Sequence, residues 1–180
     1  RVRVLDHTEH PGEKIRISGG GRCNFTNINA KAANYLSNNP HFCKSALKRY
    51  GPQDFIALVN RYGITHHEKA LGQLFCDGSA TQIVAMLLKE CADAAVTIDA
   101  RVRGTGIGKT ESGLTGSTGR GPLPCSALIV ATGGLSIPKI GASKFGYDLA
   151  KKFDHAIVPT RPALVPLPFN AALLTEIAEL

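Results

Sequence analysis

Apolar and polar positions recur with two different periods along this chain, and the elements they predict follow one another as strands and helices. Arg1-Val2-Arg3-Val4-Leu5-Asp6 alternates with period two and stops at an acid before a Thr-Glu-His-Pro-Gly break, the pattern of a short strand entering a loop. Between Ala30 and Tyr62 the period becomes helical. His41 to Tyr50 places Phe42, Ala46 and Leu47 on one face, Gln53 to Tyr62 does the same with Phe55, Ile56 and Val59, and Gly51-Pro52 separates the two. A helical pair packed over the preceding loop is expected. Gly72 to Ser79 reads as a turn or short strand before the clearest helix, for which Ser79 is a suitable N-cap and Ile83, Val84, Leu87, Leu88 and Cys91 form a broad apolar stripe reaching Ala95. Val96-Thr97-Ile98 follows as a β-branched strand, and Arg101 to Pro124 as strands joined by flexible turns. The continuous apolar run from Cys125 to Gly134 predicts a strand buried on both faces, as in a parallel sheet. Gly146 to Phe153 is a short helix, Val158 to Leu167 a proline-punctuated edge strand or domain crossing, and Ala171 to Leu180 a helix. This succession fits an α/β layer.

The polar chemistry concentrates where the periodicity breaks. Ser18-Gly19-Gly20-Gly21-Arg22-Cys23-Asn24-Phe25-Thr26-Asn27 joins three glycines, free to take positive φ and approach a ligand without a Cβ, to a guanidinium, two amides and a hydroxyl. That set suits a flat, polyoxygenated, phosphorylated ligand; a bland turn would not need the Arg-Cys-Asn-x-Thr-Asn sequel. Lys14 and Arg16, just before it, either offset phosphate charge or are simply solvated. Thr132, Gly133 and Gly134 end the apolar run where open α/β sheets bind ligands, beyond the carboxyl ends of strands, although a tight exit turn needs similar residues. Asp6 has the setting of the acid that accepts hydrogen bonds from an adenosine ribose, or of an acid in a strand-ending turn. Gly104 to Thr110 imitates a phosphate-binding P-loop, but that motif requires glycine where Arg103 stands, and the following Ser-Gly-rich segment cannot sustain its helix. An NTPase is therefore excluded. His66 and His67, adjacent and without a ligand-spaced carboxylate or Cys, predict exposed or core histidines rather than a metal site.

Composition narrows the class. Hydrophobic residues make up 43% and charged residues 19% of 180, a globular balance without disorder bias. No apolar run approaches a membrane span, and no leader pattern is present, so a cytoplasmic protein without membrane association is expected. Five cysteines, odd in number and widely spaced, support neither a disulfide framework nor zinc. The formal charge of +7 invites a nucleic-acid reading, but Lys and Arg are scattered through the chain and no aromatic-basic interleaving stands out. A basic surface equally serves an anionic small ligand or reflects a fragment's incomplete charge balance, so nucleic acid is kept as a minor reading and the expected partner is a small-molecule substrate, with no nucleic acid.

With these residues in place, the chain resembles the NAD(P)/FAD-dependent oxidoreductases that include BaiN-type bile-acid pathway reductases and aminoacetone-oxidase-like enzymes. The likeness rests on Gly12-x-Lys14-Ile15-x-Ile17-Ser18 continuing through the glycine loop to Asn27, then Gly72-Gln73-Leu74-Phe75, Ala131 to Ser136 with Pro138 and Gly141, Gly146-Tyr147, and Pro162 to Leu167. The resemblance implies a Rossmann-like FAD-binding domain over residues 1–160, with residues 161–180 beginning a second, mostly β domain. It assigns Asp6, where the family more often has Glu, to the adenosine ribose. Lys14, Ser18 and the loop Gly19, Gly20, Gly21, Arg22, Cys23, Asn24, Thr26 and Asn27 fall to flavin and pyrophosphate, Val102 to adenine, and Thr132, Gly133 and Gly134 to the cofactor's side. The activity implied is a flavin-dependent oxidoreductase with FAD as cofactor and NAD(P)H as electron donor, acting on a small organic substrate. No catalytic acid or base is identified, and Cys23 is expected to pack or position backbone rather than act as a redox thiol. The family's opening strand, G-x-G-x-x-G turn and helix do not precede Arg1, so the expectation is an internal fragment, inactive by itself and poorly soluble. The alternatives are a non-catalytic nucleotide-binding remnant and a basic nucleic-acid-binding domain.

Overall fold

The computed structural model describes residues 1–111, 113–135 and 142–161. Among them, three small sheets, one parallel and two antiparallel, and five helices form a mixed α/β arrangement. Strand β1 (Arg3–Leu5) pairs in parallel with β5 (Thr97–Asp99), in the register Arg3 to Thr97, Val4 to Ile98 and Leu5 to Asp99. The pairing continues past Leu5, where the Asp6 amide donates to the Asp99 carbonyl at 3.0 Å. The Arg3 guanidinium bonds to the Asp99 carboxylate, holding it below the usual carboxylate range.

The second sheet is antiparallel, in the order β2 (Asn24–Asn27), β4 (Gln73–Cys76), β3 (His66–Glu68). A register shift between Asn24 and Thr26 bends β2 where it leaves the glycine loop. Helices α3 (Pro52–Arg61) and α4 (Thr81–Asp93) close over this sheet, and the core joins Cys23, Val59, Ile64, Cys76, Ala80, Ile83 and Met86. Pro52 at the first position of α3 loses no hydrogen bond, and the Asp54 carboxylate caps the Gly51 amide at 2.7 Å. On α4 the buried face is Ile83, Val84 and Met86, while Leu88 lies at the exposed edge of the expected stripe. The Ser79 hydroxyl accepts from the Thr81 amide at 3.2 Å, so it serves the start of α4 from one residue before the formal cap.

The stretch from Arg101 onward forms the expected strands: β6 (Gly104–Thr110), β7 (Gly113–Thr118) and β8 (Gly121–Cys125), an antiparallel meander. Helix α5 (Phe145–Lys152) packs on it, with the Lys152 ammonium donating to the Ile107 carbonyl at 2.5 Å and Lys109 over the Phe153 ring.

Two expectations are corrected. The run from Cys125 to Gly134 is not a strand buried on both faces: Cys125 ends β8, the residues after it take no regular structure, and Ile129 is 87% exposed. Double burial requires paired strands on both sides and helices above and below. The described parallel sheet has two strands and offers no such slot. Second, the helical period from Ala30 is realised only in α2 (Lys44–Arg49) and α3, with a short 3₁₀ turn at Ala32–Asn34 before them. Asn34, Ser37 and Asn39 bond to nearby main-chain amides, which competes with helix formation. Ser136 to Gly141 and Pro162 to Leu180, including the expected second domain, lie outside the described residues.

Candidate cofactor site

The site is built on the segment leading from α1 (Glu13–Ile17) into β2. Gly12, at φ 84, starts α1 against Val84 of α4, whose methyl groups lie 3.1 and 3.2 Å from where a Cβ would project. After α1 the backbone makes a left-handed turn: Gly19, Gly20 and Gly21 have φ of 58, 66 and 83. Only glycine adopts three such conformations in succession at low cost. The three are not equivalent in space. A Cβ on Gly19 would lie 2.7 Å from the Phe75 ring, whereas nothing lies within 4 Å of a Cβ on Gly20 or Gly21. Gly19 thus seats the loop on the β4 strand, and the next two glycines present bare backbone outward.

Beyond the turn the side chains divide between core and solvent. Cys23 is 4% exposed and holds φ 52, a conformation costing a non-glycine residue about 1–2 kcal/mol, while Arg22 and Asn24 on either side are exposed. The turn is pinned by main-chain bonds from Cys23 to Ser18, Cys76 to Arg22 and Ala80 to Gly21 at 3.0, 2.9 and 2.7 Å. Cys23 therefore packs, as expected, with Cys76 beside it; burial, then the Cys23 thiol and the Asp77 carboxylate, push the Cys76 thiol up to about 11. Among the described residues, no group of three or more His, Cys, Asp and Glu side chains could hold a metal ion, and the five cysteines are free thiols.

Lys14, Ser18, Cys23 and Asn24 line one open cleft of about 250 Å³, together with Ile15, Phe25, Phe55, Ile83 and Leu87. Its walls are apolar and its polar groups few. That composition fits the ring of a flavin, apolar on its faces and polar at its edges, and the open Gly20 and Gly21 backbone fits a phosphate-bearing chain beside it. The volume holds part of a dinucleotide rather than all of it, since sites for small ligands span about 300–1,000 Å³. Phe55 and Leu87 carry a helical core period in the sequence and gave no sign of facing a cleft.

The second glycine bend approaches the same cleft-lining lysine. Gly133 has φ 73, and a Cβ there would lie 3.5 Å from the Lys14 ammonium. Its neighbours rest on α5: Thr132 Oγ1 lies 3.2 Å from a Cβ on Gly146, and the Tyr147 hydroxyl 3.8 Å from one on Gly134. Lys14 thus shares the cleft with the flanks of the first glycine turn and lies against the second. Asp6 and Val102 form a separate pair, joined by the Val102 amide donating to the Asp6 carbonyl at 2.9 Å, with Val102 4% exposed. The Asp6 carboxylate accepts from the Thr8 amide at 2.8 Å and its hydroxyl at 2.7 Å, the geometry of a strand-ending turn. Asn27 is engaged structurally, donating to the Leu71 carbonyl at 3.0 Å and accepting from the Asn29 amide at 2.8 Å, and Thr26 of β2 pairs with Leu74 of β4.

One polar pair near the loop has no counterpart in the sequence reading. His67 pairs with Phe75 across the antiparallel strands, its ring stacked on the Phe75 ring at 6.4 Å, and Nδ1 lies 2.7 Å from Asp77 Oδ1. The hydrogen bond from His67 holds the Asp77 carboxyl below the usual range. Since Phe75 also underlies Gly19, His67 and the loop share a side chain as neighbour.

Comparison with known proteins identifies the family of the chain. The family described as HI0933-like protein Rossmann domain matches residues 1–166. The chain is 51% identical over 177 residues to a protein of Escherichia coli (strain K12) named ribosomal RNA dihydrouridine synthase, covering 98% of this chain and 44% of that protein. A protein of the same name from Haemophilus influenzae is 46% identical over 173 residues, covering 94% of this chain and 43% of that one. The 3-dehydro-bile acid delta(4,6)-reductase of Clostridium scindens is 28% identical over 168 residues, covering 93% and 41% respectively. The chain thus spans less than half the length of these curated relatives.

Proposed function

The chain belongs to the HI0933-like Rossmann-domain family, within the FAD-binding oxidoreductase superfamily, and we propose that it is the FAD-holding part of a reductase that saturates a carbon–carbon double bond conjugated to a carbonyl. The observation that carries this reading is an apolar cleft lined by Lys14 together with Ser18, Cys23 and Asn24, the residues flanking the Gly19–Gly21 turn, with Gly133 lying against the same lysine. The names of the relatives supply the reaction class. Dihydrouridine is uridine with its 5,6 double bond, conjugated to the 4-carbonyl, reduced; reduction of a 3-oxo steroid at the 4 and 6 positions is the same type of change. A uridine in ribosomal RNA is the preferred substrate class, because the relatives at 51% and 46% identity carry that name and the chain has a formal charge of +7. This departs from the small organic substrate that the sequence suggested.

Bound FAD supplies the hydride chemistry, with NAD(P)H as the proposed donor of electrons. The residues of the chain bind and orient. Lys14 offsets negative charge at the junction of the two glycine segments, the Gly20 and Gly21 backbone admits the pyrophosphate closely, and Ile15, Phe25, Phe55 and Leu87 exclude water along the ring. The Asp6–Val102 pair is the proposed adenosine end.

The test is made on the full-length protein. Purified protein should carry a yellow flavin spectrum, NADPH or NADH should bleach it anaerobically, and unmodified ribosomal RNA should restore it with formation of dihydrouridine. Flavin that binds but is not reduced would favour a non-catalytic nucleotide-binding module. Protein that takes up no FAD would overturn the reading.

A further inference from the structure

The formal +7 charge is concentrated. Residues 14–53 contain seven Lys and Arg and no Asp or Glu, while the remainder of the chain is balanced. The part of this stretch from Lys31 to Tyr50 is almost wholly exposed, with only Ala32, Cys43 and Leu47 partly covered. It also displays its aromatic rings: Phe42 is 83% exposed, Tyr50 53% and Tyr35 51%. Lys44 and Lys48 stand one turn apart on α2, with Arg49 beside them and His41 Nδ1 3.1 Å from the Lys44 ammonium. The basic residues themselves are scattered; the bias comes from the absence of acids over this stretch, and the ring exposure is visible only in the fold.

We propose that Lys31–Tyr50 is a docking arm for single-stranded RNA, taking phosphates on Lys44, Lys48 and Arg49 and stacking bases on Tyr35, Phe42 and Tyr50. Charge complementarity selects the occupant: a cationic surface without a carboxylate repels cations and attracts a polyanion, and exposed rings offer every base a π-face. An apolar protein partner would leave the excess of positive charge without a purpose. The arm leaves from β2, at the end of the glycine loop, and returns into α3, whose Phe55 lines the cleft. RNA held on it is therefore tethered to both walls of the proposed site. This inference rests on the RNA-reductase reading for its biological meaning, but its test is independent of flavin.

The experiment measures anisotropy of a labelled 16-nucleotide oligouridylate with the full-length protein across a KCl series. Lys44→Glu/Lys48→Glu/Arg49→Glu should weaken binding at least tenfold and flatten the log–log salt slope by about 2, from about 0.7 per phosphate contact. Lys89→Glu/Lys144→Glu/Lys151→Glu, an equal charge change elsewhere, should alter affinity less than threefold. Phe42→Ala, which removes a side chain with almost no packing to lose, should weaken binding about fivefold or more. Loss confined to the arm variants supports the proposal, even in a protein that takes up no FAD. Equal loss in the control triple, or wild-type affinity in both arm variants, overturns it, even where the flavin is bound and reduced normally.

Discussion

The Lys14 ammonium lies 3.5 Å from the point where a Cβ would project from Gly133, although the two residues stand far apart in the sequence. This relationship sets Gly133 against a lysine that lines the cleft with Ser18, Cys23 and Asn24. If the ammonium serves an anionic ligand there, Lys14→Met should weaken FAD binding by about tenfold or more, the scale of a lost charge-assisted hydrogen bond at about 1.5–3 kcal/mol. The wild-type affinity should also fall with salt more steeply than that of the variant. Flavin fluorescence titration at two ionic strengths checks both.

Gly19 and Gly20 separate folding from binding. Each has φ near 60, so alanine at either carries a similar backbone strain of about 1–2 kcal/mol. Only Gly19→Ala also drives a methyl into the Phe75 ring, at 2.7 Å, and toward the Asn24 amide at 2.8 Å. Its urea midpoint should correspond to a further loss of about 1–3 kcal/mol relative to Gly20→Ala. Gly20→Ala should remain folded and lose FAD affinity, because its methyl would occupy the open space proposed for the ligand's phosphates.

These two glycines also show what the sequence discloses. That the loop is more than a bland turn was legible from residue type, since three glycines in succession permit the left-handed backbone observed there. Which glycine packs and which faces outward was not, because it depends on Phe75, brought beneath the loop by antiparallel pairing of β2 with β4. The same limit applies to β3: His66-His67-Glu68 has no apolar period, and it becomes a strand through its pairing with Cys76, Phe75 and Leu74. The apolar run ending at Gly134 erred in the other direction. Its composition suits a doubly buried strand, but burial is supplied by neighbours, which composition does not specify. Helices α3, α4 and α5 were legible because their signals are local, a 3.6-residue stripe bounded by Pro, Ser or Gly.

Cys76 makes the fold sensitive to alkali. It is fully buried and its thiol is pushed up to about 11, so above the ordinary thiol value of about 9 the unfolded chain releases a proton that the folded chain keeps. Stability should fall as pH rises from about 9 to about 11 and level off above that. Cys76→Ala should lose this component of the pH dependence while being less stable at neutral pH. Iodoacetamide at pH 8 should label exposed thiols and leave Cys76 unmodified until the protein unfolds, as peptide mapping by mass spectrometry would show.

The His67–Asp77 pair acts at the acidic end. The Asp77 carboxyl is held below its ordinary value, chiefly by the His67 hydrogen bond, so its contribution to stability is present above pH about 4 and lost as pH falls through the lowered value. His67→Ala removes that bond and returns Asp77 toward the ordinary carboxylate value. The difference in Tm between wild type and His67→Ala should therefore narrow between pH 6 and pH 3. A difference that stays constant over that range would show that the pair does not titrate in this way.

The central claim is that the Gly19–Gly21 turn and Gly133 contact one bound FAD. Hydrogen–deuterium exchange of the full-length apoprotein, with and without saturating FAD, tests it most directly. The account predicts protection in peptides spanning residues 18–24 and in peptides spanning residues 130–135, rising together with FAD concentration. Protection in only one of these segments, at FAD concentrations that saturate the flavin signal, would contradict it.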